Sequence, residues 1–247
     1  MRLTPGPDAR AIAARFPGES YVGFHADRFA FALEVARRVA PNPRSSLDVG
    51  PGPFTILLAE QTGSPVDTLG FPPDGPSIGG GNHTQFDIND LRAPGNAPAI
   101  GPYDLITFGE VLEHLYVAPP LVLRWLRDLL SPTGVLILQT PNAAAVGRRA
   151  RLLLGRNPYD LINVDPMHPR HFREYTRREL LAFAAEADLD VVELVMGSYF
   201  DHTYESNPKT ANRAHLAGVA QNAIYRALPG SLRTGMTAVL RRATATS

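Results

Sequence analysis

Five apolar runs of strand length, SSLDVG, PVDTLGF, YDLITFG, GVLILQT and DVVELVMG, each lead into turn residues or a helical pattern. Strands that alternate with helices are joined by crossovers, and crossovers lay successive strands side by side and parallel. The expected fold is therefore α/β: a mostly parallel, twisted sheet with helices on both faces. With 247 residues and 44% apolar content, the chain has material for one such domain and an extra segment.

The helices are legible from their spacing and their ends. From His25 to Val39 the apolar residues Phe29, Phe31, Leu33 and Val35 recur at helical intervals, and Pro41 closes the run. LVLRWLRDLL, Leu121 to Leu130, is amphipathic, which makes Trp125 a core residue, and SPTG turns the chain into the next strand. Thr176 and Glu179 form a T-x-x-E capping box that starts RRELLAFAAEA. Three regions follow: an N-terminal helical segment over 1–43, a core over 44–205 interrupted by an insertion at about 141–170, and a basic helical extension over 206–247. Within the insertion, PNAAAVGRRARLLLGRNPYD carries four arginines, and excursions of that length in an α/β domain are usually functional or mobile. Beyond Glu205 no carboxylate occurs, whereas Lys209, Arg213, Arg226, Arg233, Arg241 and Arg242 do, so this tail reads as a solvated basic face.

Composition narrows the chemistry. Zero net charge gives no global attraction to nucleic acid or to a membrane surface, which points to a small acceptor. The absence of cysteine removes disulfides, thiolate zinc sites and cysteine nucleophiles. No signal-like leader and no membrane-spanning apolar run is present, so a cytoplasmic location is expected, and homodimer formation stays open.

SLDVGPGPFT places an acidic residue near the end of an apolar strand and two glycines before a helical pattern. Gly50 and Gly52 let the backbone turn sharply and approach a ligand closely. The third glycine of a dinucleotide fingerprint and the lysine of a phosphate loop are both missing, so a zwitterionic ligand fits better than a pyrophosphate. With FDIND, YDLITFGEVLEHL and LLSPTGVLILQTPN following in order, the chain resembles the class I S-adenosylmethionine-dependent methyltransferases over about Ser45 to Val195. That resemblance implies a Rossmann-like fold and S-adenosylmethionine as cofactor. It also implies that Asp48, Gly50 and Gly52 line the amino-acid end of the cofactor, that Asp87 meets the adenine amine with Ile88 packed on the ring, and that Gly109 and Glu110 run alongside. Arg28, in the segment that often closes over the cofactor in this family, is expected to pair with its carboxylate. One departure stands out. The family usually ends its second strand on a carboxylate that grips the ribose, whereas PVDTLGF places Gly70 there; Asp67 sits early, and Asp74 is the substitute.

EVLEH spaces Glu110, Glu113 and His114 as i, i+3 and i+4, which on a helix puts them on one face. Such a set can hold a divalent ion, and oxygen ligands with imidazole suit magnesium or manganese. ExxEH followed by HFREYT resembles the metal-dependent methyltransferases of RNA 3′-end ribose, which implies His171 as a fourth ligand; ExxEH is also similar to quinone O-methyltransferases. Without a metal, His114 or His171 serves as general base, with Glu113 beside it. His168 faces solvent in this reading, and Tyr175 packs. The expected activity is methyl transfer to a hydroxyl of a sugar or short oligosaccharide, in part through a resemblance to the sugar O-methyltransferases of methylmannose polysaccharide synthesis. The rivals are an RNA 3′-end methyltransferase, disfavoured by the zero net charge, a quinone or polyketide O-methyltransferase with Met196, Tyr199 and Phe200 around the acceptor, and a cofactor-binding module without turnover.

Overall fold

The computed structural model describes residues 7–71, 78–93, 95–159, 161–162, 170–204 and 211–244. Helices α1 (Pro7–Arg15) and α2 (Ser20–Val39) precede β1 (Ser46–Val49), α3 (Pro53–Thr62), β2 (Val66–Gly70), β3 (Gly80–Gln85) and β4 (Tyr103–Gly109). Then come α4 (Pro119–Asp128), β5 (Leu130–Pro141), α5 (Val146–Leu153), α6 (Arg177–Glu186), β6 (Leu189–Gly197), α7 (Ala211–Ala227) and β7 (Gly235–Arg242). Among the described residues no helix is long and apolar enough to cross a membrane.

The strands form one seven-stranded sheet in the order β3-β2-β1-β4-β5-β7-β6. Strands β1 to β5 pair in parallel, and β7 runs antiparallel between β5 and β6. Both faces are covered, which explains why GVLILQT reads as continuously apolar. Its residues alternate: Leu136 and Leu138 join the α4 and α6 side of the core, while Val135 and Ile137 pack with Phe31 and Val35 of α2. On α4, Val122, Leu123, Leu126 and Trp125 are buried, each such side chain contributing roughly 1.5–3 kcal/mol when fully covered.

Two strands differ from the sequence reading. Strand β3 is GGNHTQ, a polar edge strand with half-exposed residues, so it carries no apolar run to find. Asp67 holds it in place, accepting from the Asn82 amide at 2.8 Å and from the Tyr103 hydroxyl at 3.0 Å, which gives that carboxylate a role in the sheet. The C-terminal region is not a helical extension alone: α7 is followed by β7, whose Met236, Ala238 and Leu240 are fully buried inside the sheet. Three of its arginines are engaged within the fold, while Arg241 is exposed. Arg226 pairs with Asp27, Arg233 donates to the carbonyls of Leu228 and Met196, and Arg242 donates to those of Asp128 and Leu130.

The strand order reverses between β1 and β4. At such a switch point the loops leaving the two carboxyl ends diverge and open a crevice for a ligand. Those loops are Gly50–Gly52 and Gly109–Val111.

Candidate active site

The crevice holds a cavity of about 210 Å³ lined by Arg28, Asp48, Gly50, Gly52 and Gly109 together with Tyr21. Asp48 is buried and accepts from the hydroxyls of Thr55 and Thr107, both at 2.6 Å. The Thr55 hydroxyl in turn accepts from the Gly52 amide at 3.0 Å, so the carboxylate fixes the glycine turn through one threonine. Gly50 takes φ +88°, a conformation that side chains resist, and donates to the Leu69 carbonyl at 2.9 Å. Strand β2 ends on Gly70, and among the described residues no carboxylate stands at its tip; Asp74 lies outside them.

Burial pushes the Asp48 carboxyl up to about 6, against the opposing pull of Thr107, Thr55 and Arg28. The folded state then holds a proton that the unfolded chain has released, so this group lowers stability as pH rises from about 4 to 6, and the loss persists above. Asp48→Asn is expected to remove roughly 2–3 kcal/mol of that pH dependence, read from denaturant unfolding of the free protein across this range. An unchanged pH profile in the variant contradicts the assignment.

Arg28, on α2, is only 4% exposed. Its Nε donates to His25 Nδ1 at 3.1 Å, and its Nη1 approaches Gln139 Oε1 at 3.4 Å. Gly109 leaves the room for this, since a Cβ there would lie 3.0 Å from Nη1. No carboxylate among the described residues pairs with Arg28, so the cavity presents a buried cation to an incoming anion. Burial and the Arg28 charge lower His25 to about 2, which keeps its imidazole neutral. Asp87 and Ile88 do not line this cavity. Asp87 accepts from the Asn89 amide at 2.9 Å and caps the turn Ile88–Arg92, while Ile88 is buried in the core.

Next to this cavity lies a second, of about 490 Å³, lined by Phe24, His25, Glu110, Arg148, His171 and Phe200 among others. The two meet where Gly109 of the first precedes Glu110 of the second, and where Arg28 bonds His25. Residues 110–114 do not form the expected helix. Glu110 leaves β4 at φ +57°, and only Leu112–His114 make a short 3-10 turn, so the i, i+3, i+4 face does not exist. The turn still brings Glu113 and His114 to His171, and one ligand atom from each lies within 4.8 Å of the others. Glu110 is outside that set, and its carboxyl is electrostatically coupled to that of Glu113. Burial, and for Glu113 the neighbouring Glu110, push both carboxyls upward, so the pair favours holding a proton between them.

The histidine loop is pinned on three sides. The Phe172 amide donates to the Glu113 carbonyl at 2.8 Å, Ala143 donates to the Tyr175 carbonyl at 3.0 Å, and the Thr176–Glu179 capping box forms as expected. Tyr175 is buried, as expected for a packing residue, and His168 lies outside the described residues. His171 Nδ1 is 2.8 Å from Glu174 Oε1, on a fully buried carboxylate that also receives the Arg148 guanidinium. An ionised carboxylate only accepts, so in this contact the ring donates through Nδ1–H. The His114 and His171 rings meet edge to face at 4.7 Å. The Thr140 hydroxyl donates to Glu113 Oε2 at 3.0 Å. Glu174, Arg148 and Thr140 were missed in the sequence. Glu174 had a local signal, an acid three residues after His171, whereas the other two reach the site only through the fold.

A profile of the methyltransferase-domain family matches residues 24–194. The chain belongs to the methyltransferase-domain family. It is a methyltransferase by that membership, with the Rossmann-like fold that the motif order implied. No curated protein matches this methyltransferase. Among solved structures it is similar to the CcbJ methyltransferase of Streptomyces caelestis, at 16% identity and TM-score 0.54 over 99% of this chain and 100% of that one. It is also similar to the 1,6-didemethyltoxoflavin-N1-methyltransferase of Burkholderia thailandensis, at 15% identity and TM-score 0.52 over 98% and 93% of the two chains. A third, the N-methyltransferase NodS of Bradyrhizobium japonicum, shows 15% identity and TM-score 0.51 over 87% and 86%. At such identities the likeness is one of fold, and the acceptor must be argued from this methyltransferase's own site.

Proposed function

We propose that this methyltransferase moves the methyl group of S-adenosylmethionine to a hydroxyl oxygen of a sugar or short oligosaccharide. The observation that carries the reading is the His171 and Glu174 pair opening onto the second cavity, directly beside the cofactor crevice. In this reading Arg28 receives the cofactor carboxylate, and Asp48 with Gly50 and Gly52 shapes the turn that holds its amino-acid end. Gly109 and Glu110, where the two cavities adjoin, would line the passage between the cofactor and the acceptor, and the bound cofactor would supply the methyl group.

Transfer is an in-line displacement: an O–C bond forms, the C–S bond breaks, and the acceptor proton must leave. His171 Nε2 takes that proton, while Glu174 holds the ring and stabilises the imidazolium through Nδ1–H. Positioning is the larger part of the chain's work, because a misplacement of about 1 Å in such a reaction costs on the order of 10²-fold. The second cavity is within the usual size for small-molecule sites, with Asn142, Arg148, Arg151 and Thr234 as hydrogen-bonding groups. Phe24 and Phe200, stacked with centroids 5.1 Å apart, offer an apolar face for sugar C–H groups. The same rings support a second reading, a quinone or polyketide hydroxyl. Of the other aromatic residues expected there, Tyr199 is instead buried against Phe31.

The donor set also fits a divalent ion of the magnesium or manganese class. Glu113 Oε1 is buried and has no hydrogen-bond partner among donor groups, and the carboxylate behind His171 is the usual orienting contact of a ligand imidazole. Glu113, His114 and His171 would hold such an ion, and it would lower the pKa of the acceptor hydroxyl. Turnover measured after EDTA treatment and again with added manganese tests this. Loss of at least about tenfold with recovery on manganese addition supports the ion; full activity in EDTA leaves His171 acting as base alone.

A further inference from the structure

The end of α5 carries apolar surface that no described residue covers. Leu152, Leu153 and Leu154 are 61%, 88% and 72% exposed, and Leu161 and Ile162 are 88% and 62% exposed. Helix α5 contributes no buried residue to the core. Arg148 and Arg151 both donate to the Pro158 carbonyl, at 2.5 and 3.2 Å, which folds the following chain back against the helix. Five large aliphatic side chains within eleven residues of sequence mark a surface built for contact. Around them Arg149, Arg151 and Arg156 are exposed, and Val146–Asn157 contains no carboxylate.

The arrangement identifies the kind of partner. A helix that docks in a protein groove presents apolar residues at i, i+3, i+4 and i+7, along one stripe. Leu152, Leu153 and Leu154 are consecutive, and with about 100° of rotation per residue they leave the helix end in three directions. A rigid groove covers one direction, whereas the fluid boundary of a bilayer surrounds them all. Exposed arginines beside such leucines add attraction to anionic headgroups. We propose that the tip of α5 docks this protein on an anionic lipid bilayer, with Leu153, Leu154 and Leu161 entering the interface and Arg149 and Arg156 meeting lipid phosphates. The same helix places Gly147, Arg148 and Arg151 at the second cavity. Docking therefore sets that cavity beside the bilayer surface. The inference does not depend on which acceptor is methylated.

The test is sedimentation of the full chain with vesicles of phosphatidylglycerol and phosphatidylcholine in equal parts, against phosphatidylcholine alone. Binding to the anionic vesicles is expected to be tighter by about tenfold or more and to weaken as salt is raised. The double variant Leu153→Asp, Leu154→Asp is expected to lose about tenfold or more in vesicle affinity. Arg149→Gln with Arg156→Gln is expected to lose several-fold, and all these variants should keep the wild-type melting temperature because the four residues are exposed. Wild-type protein that stays in the supernatant with anionic vesicles overturns the proposal, as does undiminished binding by the leucine variant. A concentration-dependent dimer in gel filtration, abolished by the leucine variant and accompanied by no vesicle binding, also overturns it and assigns the tip to a second copy of the chain.

Discussion

His171→Ala is expected to lower turnover by about 10²–10⁴-fold, the usual contribution of a positioned acid–base group, while cofactor affinity stays within a few-fold. The separation follows from geometry. His171 lines the second cavity and not the cofactor crevice, so its loss removes a group that meets only the acceptor. Glu174→Gln tests the same chain of contacts one step further back. A glutamine keeps the shape, yet its amide no longer stabilises a positive ring, so the pH–rate profile is expected to shift along with turnover. A merely structural Glu174 would change stability and leave that profile where it was. If His171→Ala keeps wild-type turnover, the proton acceptor lies elsewhere and the proposed chemistry is wrong.

Arg28→Met is expected to weaken S-adenosylhomocysteine binding by at least about tenfold, the scale of one charge-assisted contact, without destabilising the free protein. Removing a buried cation that forms no ion pair with a described carboxylate takes away a desolvation penalty, which offsets the loss of its pull on Asp48 and Glu110, and methionine keeps much of the packing against Phe29, over whose ring the guanidinium lies at 4.8 Å. A cofactor analogue lacking the carboxylate separates charge recognition from cavity shape. It should bind wild type poorly and bind Arg28→Met no worse than S-adenosylhomocysteine does, because the coupling between the two changes is the carboxylate contact itself. Equal losses for both ligands in the variant would place the carboxylate away from Arg28.

Much of this architecture was legible because the physics is local. The parallel strands show as continuous apolar runs, since both of their faces are covered, and the glycine turn and the Thr176 capping box each need particular residue types within a few positions. Strand β3 was hidden because an edge strand with half-exposed faces has no apolar pattern to display. Strand β7 was hidden for another reason: TAVL is short, sits between basic residues, and is held by long-range antiparallel pairing to β5 and β6 that no local signal records. At the site, EVLEH and HFREYT pointed to Glu110, Glu113, His114 and His171, and the structure brings the last three together. The reason given for it was wrong, because Glu110 adopts a left-handed conformation and the turn replaces a helix. The carboxylate that orients His171 stands three residues after it in the sequence, but that this acid is buried is a property of the fold rather than of the sequence.

The most direct test of the central claim is to supply S-adenosylmethionine labelled with carbon-13 in the methyl group and locate the label in the product by NMR. The acceptor panel would comprise sugars and short oligosaccharides, phenols and quinols, and amines. The account predicts label on a sugar oxygen, formed by wild type and lost in His171→Ala. Label on nitrogen or carbon, or turnover of amines alone, would contradict it.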